Sequence, residues 1–495
     1  MLHTQWNKRK RIIMLSVLLA SFMTSVETTI VTTALPSILS SLHGLAWQSW
    51  VFTAYLLTTT LSTPIYGNLS DHWGRKPVFL IGLSCFTLGS LASGLAPNLP
   101  VLIGARALQG LGAGAVMPIT FTLIADTFPL SERSTMMAWN NTAWGISALI
   151  GPLLGGFLVD QLSWHWIFFI NVPLGMLVFG LIYAGYQESA QPTTTLKLDW
   201  RGSCWLAISL MTLLSLLQLL SNQQINWITL ISVLLLFLVA LSCFIRAESH
   251  ATNPIIPLTL FHNRTFTIQI LTALFLSGMQ FGFQIYFPIW LQSIYRVSAT
   301  VAGLAITPSP IAWLLTSFSV SALMKRWAPK RITSPIVIVQ LAFYLTLIFS
   351  STTFPLLMFY IIAGVTGAGL GIIITMNTVV AQAEVPETDV GTASSMITLG
   401  RTLGQTIMTG LFGFIFNLTI NSGQRQHPSI SHSLLNQAVA AKNMAKLKIS
   451  MTQTHNLDQI LLTAFHHVFF LCTLIMVVII LINLLDPRHQ PLKMK

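Results

Sequence analysis

The sequence predicts an all-α polytopic membrane protein: two six-helix halves in parallel repeat, plus two extra helices that link them. Three observations carry this. The 495 residues are 53% hydrophobic and only 8% charged, against about 25% charged in an ordinary soluble protein. The apolar residues fall into fourteen runs, most near the ~20 residues that span a bilayer as a helix. Part of the chain also aligns with itself, without gaps, at a shift of 257 residues. Helix is the expected state because a spanning helix satisfies its own backbone hydrogen bonds, and no ten-residue alternating segments suggest a barrel.

Span 1 (12–36) follows the basic cluster Lys8, Arg9, Lys10 and Arg11. At about 25 residues it is too long for a signal-peptide core and should remain as a span. It carries Glu27, the one acid placed deep in any span. A charge at the bilayer centre costs at least ~2.5–3.5 kcal/mol on insertion scales, so such an acid is a functional candidate by default. A carboxyl there can hold a proton in one state and release it in another. The alternative is a structural acid pinned to a neighbouring helix. Spans 2 (47–66) and 3 (78–97) flank the short charged loop Gly67-Asn68-Leu69-Ser70-Asp71-His72-Trp73-Gly74-Arg75-Lys76-Pro77.

Span 4 (100–126) carries Arg106. Glu27 lies about 15 residues into span 1 and Arg106 about six into span 4 from the other side, so at 1.5 Å per residue their depths nearly match. A buried guanidinium without a partner is very costly, so Arg106 is expected to pair with Glu27 and tune its proton affinity. Backbone carbonyls and polar groups near the helix break are the alternative. Span 5 (136–159) presents Gly145, Gly151, Pro152, Gly155 and Gly156. Glycines a turn apart let a neighbouring helix approach closely, and proline removes a backbone hydrogen bond. Close packing at a bend suits a rocking transporter, although static bundles use glycine too. Span 6 (166–186) completes a first half, residues 1–186.

Spans 7 (203–220) and 8 (226–245) form a linker, residues 187–265. Span 9 (266–292) opens the second half, residues 266–486. It sets Phe275, Met279, Phe283 and Phe287 at steps of four, flanked by Gln280 and Gln284. Four residues apart means one helical face, and an aromatic and methionine wall suits lipophilic ligands. Packing or lipid-facing surface is the alternative. Gln109 and Trp144 join these as weaker candidates for substrate contact. Spans 10–14 fall at 299–324, 332–351, 355–382, 390–419 and 461–485. Arg401, midway along span 13, reads as structural. The loop 420–460 bears Lys442, Lys446 and Lys448, and its Leu434, Leu435 and Val439 hint at an amphipathic surface helix. A cytoplasmic tail, 487–495, follows. Cys85, Cys204, Cys243 and Cys472 all sit in spans and read as small apolar residues, not as a disulfide or metal framework.

A net charge of +12 would suit a nucleic-acid binder, but its distribution argues otherwise. Most of the 25 Lys and Arg fall on one side of the fourteen-span arrangement, including Lys8–Arg11, Arg75, Lys76, Lys325, Arg326, Lys330 and Arg331. This is the positive-inside rule, and it places both termini in the cytoplasm. In the repeat, Gly110-x-Gly112-x-Gly114 falls on Gly367-x-Gly369-x-Gly371, Pro129 on Pro386, and Glu132 on Asp389. A degenerate copy of the 67–77 loop appears at a shift of 254, where Leu69, Trp73 and Lys76 meet Leu323, Trp327 and Lys330 while Asp71 meets Lys325. Parallel repeats are a recognised transporter architecture, with the substrate site at the midplane between halves.

The pattern Gly67-x-x-x-Asp71-x-x-Gly74-Arg75-Lys76 resembles the signature loop of the major facilitator superfamily of secondary transporters. Further stretches resemble its fourteen-span drug–proton antiporters of the EmrB/QacA type. They are Glu27-Thr28-Thr29-Ile30-Val31-Thr32-Thr33-Ala34-Leu35-Pro36, Arg106-Ala107-Leu108-Gln109-Gly110-Leu111-Gly112, and Gly145-x5-Gly151-Pro152-x2-Gly155-Gly156. To these add Trp164-His165-Trp166-Ile167-Phe168-Phe169-Ile170-Asn171-Val172-Pro173-Leu174-Gly175, Leu198-Asp199-x-x-Gly202, and Gly391…Arg401-x-x-Gly404. The chain departs from the pattern with Glu27, usually Asp, and Thr32, usually Asn; Glu keeps the titratable carboxyl.

The resemblance implies a major facilitator fold and a cytoplasmic gate built from Gly67, Asp71, Gly74, Arg75 and Lys76. Asp71 would engage the N-terminus of span 13 near Asp389, and Arg75 would pair with Asp126. A carboxylate stabilises a helix N-terminus, and Arg pairs bidentately with carboxylates. The alternative is a hairpin that only sets topology. The implied function is a proton-coupled multidrug exporter of the plasma (inner) membrane, working by alternating access, driven by the proton gradient and using no cofactor. With Glu27 as the lone deep acid, neutral or monocationic lipophilic cargo is expected, since a dication would leave one charge unpaired. Expected partners are the bilayer, lipophilic small molecules and protons, and no nucleic acid; an accessory export protein is compatible but not indicated. The rivals are an exporter of one polar metabolite in the same fold, and a membrane sensor or channel. No nucleophile–base or metal constellation supports an enzyme.

Overall fold

The computed structural model describes residues 8–42, 47–128, 130–188, 200–220, 226–251, 254, 258–385, 390–428, 430, 431, 434, 435, 438, 451–488 and 490. Long helices fill it, and the described residues contain no strand. The first half holds α1 (Lys8–Leu42), α2 (Trp50–Trp73), α3 (Arg75–Gly94), α4 (Leu99–Thr127), α5 (Leu130–Gln161), α6 (Trp166–Phe169) and α7 (Asn171–Gly185). Next come α8 (Trp200–Leu220) and α9 (Trp227–His250). The second half holds α10 (Arg264–Ser293), α11 (Ala299–Ile306), α12 (Pro308–Ser317), α13 (Val320–Arg326), α14 (Pro329–Ile348), α15 (Leu356–Ala383), α16 (Val390–Gln426) and α17 (Met451–Leu484). Among the described residues, 13 helical stretches are long and apolar enough to cross a membrane. The 24-residue α2, outside that set, fills the position of the remaining expected span.

Helix starts carry the caps their sequences offer. Asn98, Asn226, Asn263 and Ser298 accept from backbone N–H groups in the first turns of α4, α9, α10 and α11, each satisfying donors that have no partner within the helix. Span 10 is divided into α11, α12 and α13. Pro308 has no N–H to continue the ladder, and Thr307 N bonds back to Leu304 O at 3.2 Å in a tighter turn.

Two segments differ from expectation. Residues 67–77 are not an extended loop: α2 continues through Trp73, α3 starts at Arg75, and only Gly74 turns the chain, at φ +90°. Polarity marked where the apolar run ends, but a helix can run on past it. Gly74 must be glycine because that backbone region is costly for other residues. The loop 420–460 is likewise shortened, since α16 extends to Gln426 and α17 begins at Met451. Its Ile430, Leu435 and Ala438 are buried in the body of the protein, where a surface helix would have left them exposed. Val439, Lys442, Lys446 and Lys448 lie outside the described residues.

α1 forms the axis of the first half, packed on α4, α5 and α7, and α10 forms the axis of the second, packed on α15, α16 and α17. The halves meet through α1 on α10, α5 on α11 and α12, and α2 on α16. α8 seats against α2 and α16 through a cluster of Leu57, Leu206, Leu210, Leu214 and Phe244. α9 turns Ile228, Leu235, Leu238 and Val239 outward, as lipid contact requires.

One face of the bundle gathers the starts of α1 and α3 and the ends of α4 and α7. Arg9 Nε donates to Gly185 O (3.2 Å) and Lys76 Nζ to Tyr183 O (2.7 Å). The second half repeats this, with Lys330 Nζ donating to Asp486 O at 3.0 Å and Arg488 paired with Glu384. We call this the terminal face and the opposite one the far face.

Candidate functional site

Glu27 and Arg106 meet as the depth comparison predicts. They form an ion pair in the interior of the first half, with side-chain exposures of 0% and 1%. The second Glu27 oxygen accepts from Asn171 Nδ2 at 2.7 Å, and Asn171 also donates to Ser90 Oγ at 3.1 Å. Ser90 in turn donates to Phe168 O at 2.8 Å. Arg106 Nε donates to Val51 O at 3.1 Å and its Nη1 to Gln109 Oε1 at 2.6 Å. The guanidinium lies over the Tyr55 ring, 4.3 Å from its centroid. α1, α2, α3, α4, α6 and α7 all contribute to this network.

The network faces into the first half. Both Glu27 oxygens are occupied and its side chain has no exposed surface, so no cargo touches it in this conformation. Neutral or monocationic cargo was expected because Glu27 is the lone deep acid; in this conformation that acid is engaged by Arg106 and Asn171. Gln109, expected as a substrate contact, is instead an acceptor for Arg106, and its Nε2 is buried without a partner.

At the terminal face Arg75 pairs with Asp126, as expected, and its NH1 lies 3.4 Å from Thr122 O. Tyr186 OH donates to Asp126 at 3.2 Å. Glu188 accepts from Arg75 N at 2.7 Å and Lys76 N at 2.9 Å, so its carboxylate caps α3. Gly67 lies within α2. The Asp71 side chain and all of Asp389 lie outside the described residues.

The glycines of α5 serve two neighbours. A Cβ on Gly151 or Gly155 would run into Thr29, Ile30 or Thr33 of α1. One on Gly156 would lie 2.6 Å from Thr300 Cα of α11, in the other half, and Gly303 of α11 approaches Pro152 O equally closely. Beside them Asp160 accepts from Ala299 N (3.3 Å), Thr300 N (2.9 Å) and Thr300 Oγ1 (2.6 Å). This carboxylate caps α11 from the opposite half, and Gln292 Nε2 adds a bond to Thr33 O at 3.1 Å. The halves are thus joined toward the far face. Gly145 and Trp144 lie nearer mid-depth, where Gly145 faces Leu314 of α12.

The aromatic wall of α10 is a correction. Met279, Phe283 and Phe287 are fully buried, and Phe287 packs on Phe359 (5.1 Å) and Phe469 (5.4 Å) inside the second half. Phe275 packs against the same core. They serve packing; a four-residue step fixes a face but not its direction. Gln280 is buried as well, while Gln284 is partly exposed. Sequence reasoning missed Asn171, Tyr55, Ser90, Glu188 and Asp160 as functional partners. Asn171 had a signal, since it sits within the Trp164–Gly175 stretch; nothing linked it to a residue 144 positions away.

A multi-pass helical membrane protein in two packed halves, with an ion pair sealed in one of them, has the build of a transporter rather than an enzyme. Residues 17–409 match the Major Facilitator Superfamily, and the chain belongs to that family. It is 34% identical over 414 residues to Multidrug resistance protein 3 of Bacillus subtilis (strain 168), covering 82% of this chain and 79% of that one. It is 29% identical over 418 residues to Multidrug efflux pump SdrM of Staphylococcus aureus (strain N315), covering 83% and 90%. Among solved structures, a bacterial homolog of the human lysosomal transporter Spinster shares the fold at TM-score 0.69 and 14% identity, covering 98% of each chain.

Proposed function

We propose that the protein is a proton-coupled exporter of lipophilic small molecules, multidrug in range, working by alternating access in the plasma (inner) membrane. The names of its relatives support multidrug export. The observation that carries proton coupling is the sealed Glu27–Arg106 pair with Asn171. The two protonation states of Glu27 demand different surroundings: the carboxylate needs Arg106 as a partner, and the neutral acid does not. Protonation therefore frees Arg106, which is anchored to α2 and α4 through Val51 and Gln109. Packing between α1 and its neighbours then changes with proton occupancy, and α1 also touches α10 of the other half.

On this reading the terminal face is cytoplasmic, because the basic clusters lie there. Residues 1–186 and 266–486 rock about the linker 187–265. The join at Asp160 and Gly156 closes the outside. Asp71 against the start of α16 closes the inside in the opposite state, with the Arg75–Asp126 pair bracing α3 on α4 behind it. One proton entering down 100 mV supplies about 2.3 kcal/mol, enough for roughly a fifty-fold substrate gradient.

The test is uptake of a lipophilic dye into vesicles of reconstituted protein under an imposed pH gradient. Wild type should accumulate dye against its gradient. Glu27→Gln should insert and fold but lose uphill transport, whereas Glu27→Asp should keep part of it. Full uphill transport by the Gln variant would sink the proton-site assignment.

A further inference from the structure

Arg401 is a cation set deep within a span of the second half. It lies 11 residues into α16, or about 16 Å at 1.5 Å per residue, which is near the midplane of a ~30 Å core. Its guanidinium carbon stands 5.7 Å from the centroid of the Trp313 ring on α12. No ion pair or hydrogen bond among the described residues engages its side chain, and its Nε is buried without a partner. The described carboxylates of the second half are committed elsewhere. Asp458 pairs with Arg296, Glu384 with Arg488, and Asp486 accepts from Thr265. Arg106, by contrast, has its carboxylate, a carbonyl and an amide.

A structural arginine at mid-membrane should be saturated, because an uncompensated buried charge is very costly. Arg401 is partly exposed and lies between α16 and α12, at the level where Leu314, next to Trp313, approaches Gly145 of the first half. That is the level at which the two halves meet. The indole covers part of the guanidinium surface and leaves N–H groups free, and an arginine fork matches a carboxylate bidentately. Glu27, the one acid that would favour cationic cargo, is turned away.

We propose that Arg401 and Trp313 form a subsite for the anionic end of a lipophilic cargo molecule, a carboxylate carried on an apolar or aromatic body. This rests on the exporter reading above and names its cargo class. For one proton exchanged, export of such a monoanion moves two charges per cycle, against one for a neutral cargo.

The probes are pyrenebutyrate and its uncharged methyl ester. Binding to the full-length protein in lipid nanodiscs is read by energy transfer from tryptophan to pyrene. Wild type should bind the acid more tightly than the ester. Arg401→Gln should weaken the acid at least tenfold and leave the ester unchanged, which also shows that the variant is folded; Arg401→Lys should fall between. Equal affinity of wild type for acid and ester, an unchanged acid affinity in Arg401→Gln, or parallel loss of both probes would overturn the subsite. Proton-driven export of the ester in vesicles is measured alongside. If the ester is exported and Arg401 proves indifferent, the exporter reading stands and the anion subsite falls; if the ester is not driven by protons, the underlying reading is what fails.

Discussion

The repeat sets Ala363 of α15 where α4 has Arg106, and α10, the counterpart of α1, contains no acid. The two halves therefore fill the same architecture with opposite chemistry. The first half has a sealed ionic network at its centre. The second has an aromatic core, in which Trp290 stacks on Phe465 at 5.0 Å and Phe287 on α10 meets Phe359 and Phe469. Buried ion pairs add little stability against their desolvation cost, whereas aromatic packing adds a good deal. On the exporter reading, the difference places the charge that changes in the first half and leaves the second to supply a body stable enough to work against.

The largest test of that contrast is Arg106→Ala, which leaves Glu27 buried without its cation. We expect a loss of about 3–5 kcal/mol, the typical cost of breaking a buried pair. The double variant Glu27→Gln with Arg106→Ala removes both charges of the pair from the first half. It should recover most of the loss in detergent unfolding experiments yet show no proton-driven uptake. A double variant no more stable than the single one would break the comparison.

Phe287→Ala probes the other core. Removing a buried phenylalanine should cost about 3 kcal/mol, seen as a lower unfolding midpoint. The pH dependence of transport per folded molecule should stay as in wild type. A changed pH profile would mean that the aromatic core takes part in coupling, and the division between halves would be lost.

Asn171→Leu is the gentlest of the three. It removes one donor to the Glu27 carboxylate, a hydrogen bond to a charged group worth about 2 kcal/mol. Uptake under a fixed pH gradient should fall several-fold while binding of a lipophilic probe is retained. Wild-type coupling in this variant would reduce the network to its ion pair alone.

Much of the fold was legible because bilayer thickness makes apolar run length informative: every expected span is helical, span 10 in three pieces. The Glu27–Arg106 pair was legible for a related reason, since two helices entering from opposite faces have computable depths. Direction around a helix was not legible. Phe283 and Phe287 share a face with Met279, but their spacing is the same whether that face meets cargo, lipid or a core. Asn171 was hidden because an uncharged amide near a span end carries no cost that demands a partner. The ends of α2 and α16 were misjudged because polarity marks where lipid stops, and a helix needs no lipid to continue. Asp126 was found through the motif; Glu188, beside it, lay in a stretch read only as a connector.

Sealing Glu27 inside the first half has a consequence for how such a protein can diversify. On the exporter reading, the residues that take up energy share no surface with the molecules being moved. Substitutions that reshape the space between the halves can then alter what is carried without disturbing what drives it. The buried network is a fixed engine under an interchangeable hull, and one lineage can change its cargo many times while the proton chemistry stays as it is.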